Sequence, residues 1–353
     1  QEALNNVAKH AAATRVSVLL EQRRAHRQLQ LAPLPLAQRG VPVHGIDLSE
    51  AMAFEHVVDS VSNEALDYIY RSTPRTSLGN KIFTATEYPA NQNIPLHTES
   101  AYQRDWPMRL LFYCVQPAAQ GGETLIADMV KVTSRIDPAI REELVAKSVM
   151  YVRNYSDEMD LPWQDVFQTR ERAQVEEYCR HTGIEFKWKD GDRLQTRQIR
   201  HAIAHHPKIG DIVWFNSAHM FHISALDEPV RESLLSIFPE DELPRNVYYG
   251  DGSPIEAEVI EHIRSTYHQA AVSFPWRQGD VLMLDNMLVA HGRNPFEGER
   301  KIVVALGESL QRGKPDRRRR ISQKIDEGVD ARTGMSAGGT RPSTFRHVVR
   351  RPG

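Results

Sequence analysis

From Lys81 onward the chain is built of short apolar runs rather than long periodic ones. Ile82-Phe83-Thr84-Ala85-Thr86 is brief and β-branched, and Met108-Arg109-Leu110-Leu111-Phe112-Tyr113-Cys114-Val115 is an almost unbroken apolar run of strand length. Similar runs recur at Thr124–Ala127 after the Gly121-Gly122 turn, at Ile212–Phe215, at Asp280–Leu284 and at Lys301–Leu306. Runs without polar alternation predict strands covered on both faces. Residues 137–183 read differently: Asp137-Pro138 starts one helix, and Asp165–Cys179 carries Glu and Arg throughout a second. Upstream, Leu48 to Val61 suggests a helix with Ser49 as its cap. Glu2 to Leu31 holds no Gly or Pro and reads as a helix, ended by Pro33 and Pro35. Strands on both sides of a helical stretch predict a mainly β domain, a sandwich or barrel with a helical insertion at about 130–200.

This pattern divides the chain into an N-terminal helix and linker (1–37), a β domain (38–311) and a tail (312–353). The tail from Gly313 holds eleven Lys or Arg against four Asp or Glu, includes the run Arg317–Arg320, and has few core formers, so it reads as disordered. Over the whole chain charge nearly balances, with 44 basic and 46 acidic residues, which argues against a general polyanion binder. Cys114 and Cys179 are the sole thiols, too few for a disulfide framework. No apolar run approaches the roughly 20 residues of a membrane span. A cytoplasmic location is the expectation. The chain opens on Gln1, so the natural start is expected upstream.

The candidate chemistry lies in His97-Thr98-Glu99 and, far downstream, His291 in Asp285-Asn286-Met287-Leu288-Val289-Ala290-His291-Gly292-Arg293. On a strand, residues i and i+2 share a face, so His97 and Glu99 can grip one ion while Thr98 faces away. Two imidazoles and a carboxylate, with no cysteine, suit non-haem iron(II) and leave three positions of an octahedron open. Alone, H-x-E arises by chance. A rival cluster, His201, His205, His206, His219 and His222, lies within 22 residues; His219 and His222 lack a paired acid and read as strand or loop residues in a polar or stacking role. A 2-oxo acid cosubstrate would need a cation and a hydroxyl for its far carboxylate. Arg300, at the start of the last buried strand, and Thr124 could supply them.

With those residues in place the chain resembles the taurine dioxygenase family of iron(II)/2-oxoglutarate-dependent oxygenases, nearest its clavaminate-synthase-like and syringomycin-type amino-acid hydroxylase branch. The matching segments are Ser72–Thr76, Thr86–Ala90, Leu96–Tyr102, Gly121–Thr124, Val213–Asn216 and Asp285–Phe296, spread over roughly residues 38–310. The resemblance implies a distorted double-stranded β-helix (a cupin-like jelly roll) with iron on His97, Glu99 and His291. It also implies 2-oxoglutarate on Thr124 and an arginine after the distal histidine. Many relatives carry that arginine about four residues further along, where Val304 stands here, so Arg300 is the choice and Arg293 the second candidate. The implied reaction couples oxidative decarboxylation of 2-oxoglutarate, giving succinate and CO2, to hydroxylation by O2. A carboxylate at position 99 favours hydroxylation over halogenation.

The branch implies an amino-acid substrate, free or tethered to a carrier protein in natural-product assembly. Asn93, Arg75, Arg109 and Tyr102 are its candidate contacts. Desaturation or cyclisation at the same iron site stays open, as does a homo-oligomer. The alternative of another class is a non-catalytic metal-binding relative whose basic tail binds nucleic acid or an acidic partner. The intact triad argues against the first part. Phe345 is the only aromatic residue in the tail, which argues against the second.

Overall fold

In the computed structural model, the described residues are 15–18 and 32–34, isolated positions between 54 and 73, and the segments 75–156 and 160–311. A seven-stranded sheet runs in the order Ala32–Leu34, Arg15–Val18, Asp280–Asp285, Asp105–Gln116, Lys301–Gln311, Ile82–Thr84, Ser77–Gly79. A four-stranded sheet runs Ala271–Phe274, Thr124–Asp128, Val289–Arg293, Ile94–His97. The long strands explain the unbroken apolar runs. Leu110, Phe112, Cys114, Leu282, Leu284, Ile302 and Val304 point inward and meet Ile126, Phe274 and Val289 of the smaller sheet. Their neighbours Leu111, Tyr113, Val281, Val303 and Ala305 face the other way, under Phe54 and Val58. Those two are helical and four apart, as the reading of Leu48–Val61 requires. Burying each such side chain contributes about 1.5–3 kcal/mol, and a one-residue slip would exchange the two faces. This is the expected mainly β, jelly-roll architecture.

Three expectations need correction. Arg15–Val18 lies within the anticipated N-terminal helix, yet it is a strand, pairing parallel with Arg15 opposite Asp280 and antiparallel with Ala32–Leu34. Its Val-Ser-Val alternation suits a sheet, and an unfilled sheet edge overrides weak helix propensity. The rest of 1–37 falls outside the described residues, as does the tail; the compact unit ends at Gln311. The insertion is not purely helical either. It contributes three strands to a four-stranded antiparallel sheet, Glu185–Lys189, Arg193–Arg200, Val149–Tyr155 and Arg245–Tyr249. Around these lie Met129–Arg135, capped by Asp128, and Pro138–Lys147, capped by Asp137. Finally, the helix expected over Asp165–Cys179 is two, Trp163–Phe167 and Arg172–Thr182, because Gln168 turns left-handed at φ 56°. No helix among the described residues is long and apolar enough to cross a membrane.

Candidate metal centre

The smaller sheet places the site. Val289–Arg293 is an inner strand, and His291 stands directly opposite His97 on Ile94–His97 and opposite Ile126 on Thr124–Asp128. The two imidazoles lie 4.4 Å apart between ring centroids, and Phe112 of the larger sheet packs 5.3 Å from His291. Gly292 allows the close strand approach, since a Cβ there would meet the Ile94 carbonyl oxygen at 2.6 Å. Gly292→Ala should therefore push the histidine-bearing strands apart at a cost of about 1–3 kcal/mol. Because a 1 Å misplacement can cost on the order of a hundredfold in rate, succinate formation should fall by roughly that factor while circular dichroism stays native. Unchanged turnover would show that the spacing is not critical.

The strand ends at His97, so the i, i+2 geometry does not by itself carry Glu99. Asn286 does that work. The Glu99 N–H donates to Asn286 Oδ1 (2.7 Å), and Asn286 Nδ2 donates to the carbonyls of Glu99 (2.9 Å) and Pro107 (2.8 Å). Asn286 is fully buried and belongs to the turn just before Val289–Arg293, so one side chain fastens the carboxylate ligand to the segment that delivers the histidine. Its position in the Asp285-Asn286 motif was the only sequence signal for this role.

One ligand atom from each of His97, Glu99 and His291 lies within 4.8 Å of the others. His97 Nδ1–H donates to the Pro95 carbonyl at 2.8 Å, which leaves Nε2 as the lone-pair donor. His291 Nε2 sits 3.9 Å from Glu99 Oε2. Burial depresses the His97 pKa, with the Glu99 charge opposing, and holds His291 well below the usual imidazole range. Both rings are thus kept neutral, the form that binds metal. Two neutral imidazoles and a buried carboxylate, without thiolate, fit iron(II).

The rival histidines are elsewhere. His219 donates from Nε2 to the Leu96 carbonyl (2.8 Å) and stacks on Tyr267 at 4.3 Å, with burial pushing its pKa down to about 4. His222 donates to the Ile255 carbonyl and His206 to Asp285, while His201 and His205 are exposed. Thr124 is buried opposite Arg293; its hydroxyl oxygen accepts from Trp276 Nε1 at 2.8 Å, which leaves the O–H proton to donate. Arg300 donates to the Gly122 carbonyl at 3.2 Å and lies over the Phe296 ring, with no acidic partner among the described residues. A Cβ at Gly122, where φ is +71°, would come within 3.0 Å of its side chain, so the glycine makes room for it. Arg293 is spent: its guanidinium donates to the carbonyls of Tyr88, Pro89 and Gln92. Val304 points into the core.

Of the substrate candidates, Asn93 is exposed just before Ile94–His97, and Tyr102 is buried with its hydroxyl donating to the Tyr70 carbonyl. Arg75 reaches the site, its Nη2 2.7 Å from Glu99 Oε2. Arg109 does not. It shares the outer face with Leu111 and Tyr113 and pairs with Glu308 at 3.0 Å, because strand parity turns it away from the inward-facing Leu110 and Phe112.

Residues 21–306 match the model of the taurine catabolism dioxygenase TauD, TfdA family. The chain belongs to this family. The match starts at residue 21 rather than at the expected 38. The chain is 43% identical to the dapdiamide synthesis protein DdaC of Enterobacter agglomerans, covering 77% of this chain and 83% of that protein. It is 30% identical to a clavaminate synthase-like protein of Arabidopsis thaliana, over 76% of this chain and 79% of the relative. The crystal structure of PvcB from Pseudomonas aeruginosa aligns with a TM-score of 0.41 at 14% identity, over 76% of each chain. The TauD/TfdA chain described here is accordingly an iron(II)/2-oxoglutarate-dependent dioxygenase.

Proposed function

We propose that this dioxygenase hydroxylates an unactivated C–H bond of an amino-acid-derived small molecule in a biosynthetic pathway. The observation that carries this reading is the convergence of His97, Glu99 and His291, neutral rings and carboxylate together, on one point, with the two histidines opposite one another on paired strands. Iron(II), 2-oxoglutarate and O2 together supply the oxidising power; the protein supplies ligands, orientation and a dry wall. Thr124 and Arg300 hold the far carboxylate of 2-oxoglutarate, since a hydroxyl proton two residues after Gly122 and a half-buried guanidinium bonded to the Gly122 carbonyl both adjoin the Gly121-Gly122 turn. The carboxylate of Glu99 fills the place a halide would need, which supports hydroxylation.

The relation to a dapdiamide synthesis protein supports an amino-acid-derived substrate, free or presented on a carrier protein. Asn93 at the rim is the candidate contact. Two buried free thiols, Cys114 and Cys179, suit a cytoplasmic enzyme.

Anaerobic addition of iron(II) and 2-oxoglutarate should produce a weak visible charge-transfer band. Admitting O2 should then yield succinate, accelerated by the true substrate among free amino acids and carrier-loaded aminoacyl groups. A product gaining one oxygen marks hydroxylation, and one losing two hydrogens marks desaturation or ring closure. Bound iron without the band would refute the cosubstrate assignment.

A further inference from the structure

Arg75 occupies an unusual place for a cation, against the carboxylate of a metal-binding triad. Its side chain is 3% exposed. Nη2 donates to Glu99 Oε2 at 2.7 Å, the same oxygen that lies 3.9 Å from His291 Nε2. The same nitrogen reaches Thr86 Oγ1 at 3.3 Å, and the guanidinium lies 4.6 Å above the Tyr68 ring. The guanidinium is therefore held against Glu99 by contacts to Thr86 and Tyr68 as well. A carboxylate oxygen has lone pairs enough to accept an N–H and ligate an ion at once. Among the described residues, Nε and Nη1 are buried and have no hydrogen-bond partner. Glu99 already pairs with this cation, but two buried donors left unsatisfied and one carboxylate shared with a metal cost stability unless further negative charge arrives.

The charge count says which. A divalent ion, one carboxylate and two neutral imidazoles leave one net positive charge. Adding Arg75 beside the metal makes two, Arg300 at the far carboxylate makes three, and a 2-oxo diacid carries two negative charges. We infer that Arg75 is a positioning and charge-supplying residue: it holds Glu99 through one oxygen and gives the metal site a positive charge beside the ion's own that favours a dianionic cosubstrate. This rests on the iron and 2-oxoglutarate reading above. It places Arg75 on the cosubstrate side of the energetics rather than in direct contact with substrate. Electrostatics of this kind opposes metal binding, because the guanidinium competes with the ion for Glu99, and favours the anion that follows.

The signature is a split between two affinities. Arg75→Gln keeps an N–H donor for Glu99 and removes the charge. By chelator competition it should bind iron(II) as tightly as the parent or up to about tenfold more tightly. By titration of the charge-transfer band, 2-oxoglutarate should bind at least about tenfold more weakly. Arg75→Lys, which retains the charge, should recover 2-oxoglutarate affinity to within about threefold. Parallel loss of both affinities in R75Q, or unchanged 2-oxoglutarate binding, would overturn the inference. So would a tenfold loss of 2-oxoglutarate affinity in R75K, which decides the matter even if R75Q does not fold. Failure of the parent protein to bind iron or to form the band is a different outcome and would instead remove the oxygenase reading.

Discussion

His291→Ala should leave a folded protein that no longer retains iron(II). His291 is 7% exposed, is packed by Phe112 and His97, and is the one ligand delivered from an inner strand. Altering groups that merely orient metal ligands costs about 10- to 100-fold in affinity, so deleting a ligand should exceed about a hundredfold. The fold should survive, because among the described residues no group loses a hydrogen bond to this side chain: His291 Nδ1 is buried without a partner there. Its orientation comes from the rings around it, whereas His97 is tethered to the Pro95 carbonyl. Chelator competition should show the lost affinity, and thermal melts without metal should move by only a few degrees. Iron retained at parental affinity would remove His291 from the ligand set and with it the triad.

Arg300→Gln should raise the KM for 2-oxoglutarate by roughly a hundredfold, about 3 kcal/mol, with kcat at saturation much less affected. The reasoning is that the side chain has a cation to offer and little to spend it on. One backbone carbonyl and the face of Phe296 occupy it, and burial beside Arg293 pushes its pKa down to about 10, still fully charged at neutral pH. Restoring an uncharged donor keeps one hydrogen bond but not the ion pair with a carboxylate. Arg293→Gln is the control. That residue fixes the turn leading into Ile94–His97 through three carbonyls, so its loss should lower stability while leaving KM near the parental value. The reverse pattern would exchange their roles.

What the sequence made legible followed from burial. Strands covered on both faces write themselves as apolar runs, and Met108–Val115 and Lys301–Leu306 were visible for that reason. Val149–Tyr155 was hidden because Arg153 and Asn154 interrupt it; Arg153 is buried against Asp160 at 2.9 Å and over the Tyr155 ring, and the Asp160 pairing is one no local pattern encodes. The ligands were legible as residue types. Their supports were not, since Asn286 and Arg75 act across the fold on Glu99 and look like ordinary polar residues in the chain. Arg109 fails as a substrate contact through strand parity, which cannot be assigned until the inward face is known.

Ile94–His97 is the outermost strand of its sheet, bonded to a neighbour on one side only. Local opening can occur well below the free energy of global unfolding. One ligand histidine rides on an edge strand, while its partner is anchored on an inner one. An ion held by both would act as a removable rivet across the sheet edge, opposing local opening of that strand.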